Sequence, residues 1–213
     1  MRRDMHRLAR RGALLALALL LSSCNEHPVE HCVAGQGIVI DVEPVPRKGP
    51  AHAPIELLMF GDFQCPASFY MATILDSYAI ELEQDGLADR LQLRYYHLPI
   101  EALHSRARAA AIAAAAAHRQ GTEPFWRLFW RLFQPASELT DDHILDYAEQ
   151  AELDTERFVD DLADPAVEAV VDRDLALAGE LGLNYTPSIV LCGVQVEPHP
   201  GDLIANLDHL IRD

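Results

Sequence analysis

The sequence predicts an α/β domain in which a strand–helix–strand unit and a strand–strand–helix unit are separated by a long helical insertion. Three observations lead there. Ile55 to Phe60 (IELLMF) and Leu91 to Leu98 (LQLRYYHL) are apolar runs of strand length, and between them Phe69 to Leu82 repeats its apolar residues at helical spacing. The stretch from Leu103 to Gly182 reads as helix nearly throughout. Ser188 to Leu191 (SIVL) and Val194 to Glu197 then flank a Cys192-Gly193 turn, and an amphipathic helix over Leu203 to Ile211 closes the chain. With 213 residues, half of them hydrophobic, the chain suits one globular domain and leaves little room for a second.

Taken in order, residues 1–23 read as a signal peptide. Arg2, Arg3, Arg7, Arg10 and Arg11 give a basic start, and Ala13 to Leu21 is an unbroken apolar run, too short to span a bilayer. The run ends in Leu21-Ser22-Ser23-Cys24, which resembles a bacterial lipobox. That implies lipidation of Cys24, attachment to the cell envelope facing the periplasm and, with Asn25 rather than Asp following, the outer membrane. Residues 24–53 are a polar, proline-bearing tether with one short strand, Gly37 to Val42 (GIVIDV).

Residues 54–100 form the first strand–helix–strand half. Its first strand is near-continuously apolar, as a buried central strand requires, and its helix opens on Pro66 and stops at Gly86. Residues 101–182 are the helical insertion. Phe125, Trp126, Phe129, Trp130 and Phe133 share one helical face there and read as packed core rather than a ligand box. Asp154 and Asp164-Pro165 start further helices. Residues 183–213 are the second half.

Charge narrows the partners. The formal net charge is −16, and removing the arginine-rich leader takes it to about −20. A phosphate-tracking surface needs clustered cations, and Lys48 is the only lysine, so nucleic acid is excluded as a partner. His27, His31 and Cys32 lie close together but in a proline-bearing tail with no fourth ligand, so no metal and no cofactor is expected. His97 and His104 read as structural. After Cys24 three cysteines remain, Cys32, Cys65 and Cys192, and an odd number leaves at least one unpaired within the chain. Cys32 could reach Cys65 or Cys192; a structural Cys32–Cys192 bridge would leave Cys65 free.

Cys65 stands where chemistry is possible. Directly before a helix, unpaired amide N–H groups and the helix dipole stabilise a thiolate, which is the nucleophile of thiol–disulfide exchange. The surrounding segment, Phe60-Gly61-Asp62-Phe63-Gln64-Cys65-Pro66-Ala67-Ser68, resembles the F-S-D-F-Q-C-P-Y-C active-site stretch of the DsbA-like thioredoxin family. Tyr96-His97-Leu98-Pro99, the helical insertion, Thr186-Pro187 and the terminal helix follow in the family's order, over roughly residues 48 to 213. The resemblance implies a thioredoxin fold with an inserted α-helical subdomain. It also implies a cis Thr186-Pro187 bond facing Cys65, whose backbone would receive an extended client segment.

Two departures shape the expected activity. Ser68 replaces the second cysteine, so no neighbouring thiol can release a mixed disulfide, and Met59 stands where the family often places a buried acid. Dithiol oxidation is excluded. A monothiol isomerase or reductase cycle remains, with Cys65, Pro66 and Ser68 as the catalytic segment, cysteine-containing polypeptides as clients and a small thiol or protein reductant as resolving partner. Ser68 would either donate to the thiolate or satisfy backbone in the first helical turn. The alternative function is a non-enzymatic client-binding or assembly module that has kept the groove beside Pro187.

Overall fold

A computed structural model describes residues 43–212. The leader, Cys24, His27, His31, Cys32 and the expected Gly37–Val42 strand lie outside the described residues. Five strands form one sheet in the order β1-β3-β2-β4-β5, with β2 parallel to β3 and the other pairs antiparallel. The strands are β1 Arg47–Lys48, β2 Ile55–Gly61, β3 Leu91–His97, β4 Ser188–Leu191 and β5 Val194–Val196. This is an α/β thioredoxin fold.

β2 is buried along almost its whole length because helices cover both faces of the sheet. Its side chains alternate between two cores, as strand periodicity requires. Leu57 and Met59 join Leu93, Tyr95 and the helical insertion on one face. Leu58 and Phe60 join Tyr96, Leu98 and Ala178 on the other. Phe60 stacks on Tyr96 with centroids 4.8 Å apart.

α1 (Pro66–Gln84) carries proline in its first turn and ends at Asp85, after which Gly86 takes φ +72°. The insertion comprises α2 Ala107–His118, α3 Thr122–Leu132, α4 Asp141–Gln150, α5 Thr155–Ala163 and α6 Pro165–Glu180. Side chains of Thr140, Asp154 and Asp164 accept backbone N–H groups of His143, Arg157 and Ala166 at 3.3, 3.0 and 2.9 Å, capping α4, α5 and α6. Eight alanines of α2 are buried, which lets its neighbours approach closely.

Phe129 is the hub of the aromatic face. Its ring meets Tyr95 and Trp126 at 4.9 Å and Trp130 and Phe133 at 5.1 Å, mostly edge to face. Phe125 and Phe129 are fully buried, as expected of core. Trp126 and Trp130 are only half-buried, and the Lys48 ammonium covers them, 4.8 Å from the Trp126 centroid.

Two boundaries differ from expectation. β1 lies inside the stretch read as tether; at two residues it is too short to show a period. α7 (Pro200–Arg212) starts three residues before Leu203, because a proline is well suited to a first helical position. Glu43-Pro44 is cis, as is Thr186-Pro187. No helix among the described residues is long and apolar enough to cross a membrane.

Candidate active site

The C-terminal ends of β2 and β3 and the loop before β4 converge on Cys65. The residue is the N-cap of α1 in extended conformation (φ −83°, ψ 115°), half-buried, and a free cysteine. Its thiol donates to the Thr186 carbonyl at 3.3 Å, so the cis-proline loop lies directly against the sulfur. Pro66 and Ala67 are exposed, leaving one side of the thiol open to an incoming chain. Pro187 is buried.

Ser68, in the place of a second cysteine, is completely buried. Its hydroxyl accepts the Asp62 N–H at 3.3 Å, holding the loop from which α1 starts. Met59 faces the aromatic core at 5% exposure and pairs across the sheet with Tyr95. No carboxylate occupies that position.

Asp62 is a buried carboxylate the sequence reading had not singled out. Its backbone carbonyl accepts the Cys65 N–H at 3.1 Å. Its Oδ1 accepts the Gln64 N–H, its Oδ2 accepts the Ile100 N–H, and His104 Nδ1 meets that same Oδ2, each at 2.8 Å. Gln64 Oε1 in turn accepts the Arg106 N–H at 2.7 Å. Two straps therefore tie the Cys65 turn to the loop between β3 and α2. The only sequence signal was the aspartate in the F-x-D-F-Q-C-P segment; its partner histidine is 42 positions away and shares no local pattern with it.

Beneath the turn lie two neutral groups. Burial, followed by the charges of Asp62, Asp174 and Cys65, pushes the Tyr95 hydroxyl well above its ordinary range. Burial, followed by His118 and Arg173, brings the His97 imidazole down to about 3. Neither Tyr95 Oη nor His97 Nδ1 has a hydrogen-bond partner. Tyr95 also explains Gly61: a Cβ there would stand 2.8 Å from the tyrosine ring and hydroxyl, closer than real contacts allow. Asp174 accepts the His97 N–H at 3.0 Å and pairs with Arg173 at 2.7 Å, while burial raises its carboxyl above the usual range.

Cys192 sits at the other end of the sheet. Its N–H donates to Glu56 O at the start of β2, 2.8 Å away, and it occupies a turn with φ +50° beside Gly193 at +78°. Cys192 is disulfide-bonded, to a partner outside the described residues. Among the described residues no group of three or more His, Cys, Asp or Glu could hold a metal ion.

Known proteins share this fold. The Na(+)/H(+) antiporter NhaA 3 of Salinispora tropica is 31% identical over 167 residues, which cover 75% of this chain but 24% of the antiporter. The chain thus spans about a quarter of the length of the first curated relatives it matches. A probable disulfide bond formation protein D of Bacillus cereus is 27% identical, covering 70% of this chain and 71% of its own length. The crystal structure of a thioredoxin-like oxidoreductase from Silicibacter pomeroyi DSS-3 superposes with a TM-score of 0.62 at 28% identity, over 78% of this chain and 92% of the other. The family model for the DSBA-like thioredoxin domain matches residues 56–208, and the chain belongs to that family.

Proposed function

We propose that this protein is an exported thiol–disulfide oxidoreductase of isomerase or reductase type that works through one thiol, Cys65, on cysteine-containing polypeptides. The observation that carries the reading is the free Cys65 at the start of α1, against Thr186 O of the cis-proline loop, with a buried serine where a resolving cysteine would stand.

The Cys65 thiolate attacks one sulfur of a client disulfide. An Sγ–S bond forms as the client S–S bond breaks, and the departing client thiolate takes a proton from solvent. If another client thiol then attacks the client sulfur of the mixed disulfide, Cys65 leaves as thiolate and the client is isomerised without net electron transfer. If small thiols resolve it instead, the first frees the client by attacking the Cys65 sulfur and a second clears Cys65. Two small thiols then become one disulfide as one client disulfide becomes two thiols.

The N-terminal features complete the proposal. Lipidation of Cys24 would hold the protein to the cell envelope, outer membrane preferred, and would occupy that sulfur, leaving Cys32 as the cysteine available to Cys192. A second reading, a client-binding module, is favoured by a separate observation: Phe69, Tyr70 and Tyr185, on α1 and the cis-proline loop, are 46%, 61% and 38% exposed.

The test is recovery of activity in a substrate protein with scrambled disulfides, in the presence of reduced glutathione. Recovery with the wild-type chain and none above background with Cys65→Ala supports monothiol exchange. Equal recovery with both overturns it, and retention of unfolded polypeptide by Cys65→Ala decides for the binding module.

A further inference from the structure

We infer that Asp62 and His104 are a charge-compensated positioning pair that sets how readily Cys65 ionises, so that His104, through Asp62, governs the reactivity of the thiol. The inference rests on the reading of Cys65 as a reactive thiol and adds a second residue to that site.

Asp62 has no side-chain exposure, whereas His104 retains 22% and so links the buried carboxylate to solvent. The carboxylate belongs to the same turn as Cys65, whose N–H is held by the Asp62 carbonyl. A buried anion in the same turn makes a second anion, the thiolate, more costly, because buried charges are poorly screened by water. Protonated His104, 2.8 Å from Asp62 Oδ2, cancels that charge. Neutral His104 can still donate a hydrogen bond but leaves the anion uncompensated.

The other ionisable groups around the pair are engaged elsewhere or neutral. The Arg106 guanidinium bonds the Leu139 carbonyl at 2.6 Å and the Asp141 carboxylate. Glu101 pairs with Arg108 at 3.8 Å. Tyr95 and His97, below the turn, stay uncharged over the ordinary pH range. Asp62 and His104 are therefore the ionisable pair tied by hydrogen bonds to the turn that carries Cys65.

The experiment is the rate of Cys65 alkylation by iodoacetamide between pH 5 and 9, in the full chain with the Cys192 disulfide intact, for wild type, Asp62→Asn and His104→Gln. Removing the anion should move the profile toward lower pH and removing the cation toward higher pH, each by on the order of one pH unit. Opposite signs are the signature, since mere loosening of the turn would move both profiles the same way. If Asp62→Asn does not fold, His104→Gln decides alone: a profile unmoved or moved toward lower pH overturns the inference. Alkylation needs no client and no turnover, so failure of the exchange reading leaves this outcome separately readable.

Discussion

Two cysteines stand at opposite ends of the central strands. Cys65 follows the C-terminal end of β2, and Cys192 follows β4, beside Glu56 at the start of β2. One is free, half-buried and aimed at the Thr186 carbonyl; the other is locked in a disulfide at a tight turn. The side chains are identical, so the difference lies in what the fold places around them. A helix N-terminus and an open flank surround the free thiol, while a turn at the far end of the sheet holds the bonded one.

The largest test of this contrast is to remove each sulfur in turn. Cys65→Ala should abolish disulfide exchange, a loss of at least ~10³-fold, while shifting the urea midpoint little, because only one weak hydrogen bond disappears. Cys192→Ser should do the reverse, leaving the exchange rate near wild type and costing about 2–4 kcal/mol of stability. Equal effects of both on stability, or on rate, would break the contrast.

Gly61→Ala sharpens it at the active end alone. The added Cβ meets Tyr95 at 2.8 Å, and the cost should be about 1–3 kcal/mol by denaturant unfolding. Adding Tyr95→Phe should recover part of that loss by removing the hydroxyl. A neutral Gly61→Ala would mean that the packing beneath Cys65 yields easily.

The last effect is a slope, small at any one pH near neutrality. His97 stays neutral in the fold down to about 3, whereas in the unfolded chain it takes a proton near pH 6.5. Its contribution is whole above pH 6.5 and is lost as pH falls toward 3, by about 1.4 kcal/mol per pH unit. Asp174 opposes it, since its raised carboxyl lets the folded state take a proton first as the medium acidifies. His97→Gln should flatten the decline between pH 6.5 and 5 in urea titrations; an unchanged decline would remove His97 from the account.

The parts legible in the sequence are those governed by period and punctuation. β2, α1, β3, β4 and the Cys192-Gly193 turn stand where the apolar runs, Pro66, Gly86 and the turn residues put them. The cis Thr186-Pro187 bond was legible only through family resemblance, because an X-Pro pair carries almost no cis signal of its own. β1 was hidden by its length. The Asp62–His104 contact was hidden for a different reason: it depends on how the loop after β3 folds back over the start of α1, a tertiary fact that residues 42 positions apart do not announce. The aromatic face of α3 was rightly read as packing, but the sequence could not say that its two tryptophans would stop at the rim, under Lys48.

That rim has a practical consequence for anyone following the molecule in solution. Lys48 is the chain's one lysine, and Trp126 and Trp130 are its two tryptophans. All three meet where the first described strand, α1 and α3 join, and the Lys48 ammonium also bridges to Asp76 on α1. Side-chain amine labelling and intrinsic fluorescence, usually averages over a whole protein, here become local gauges of the same seam.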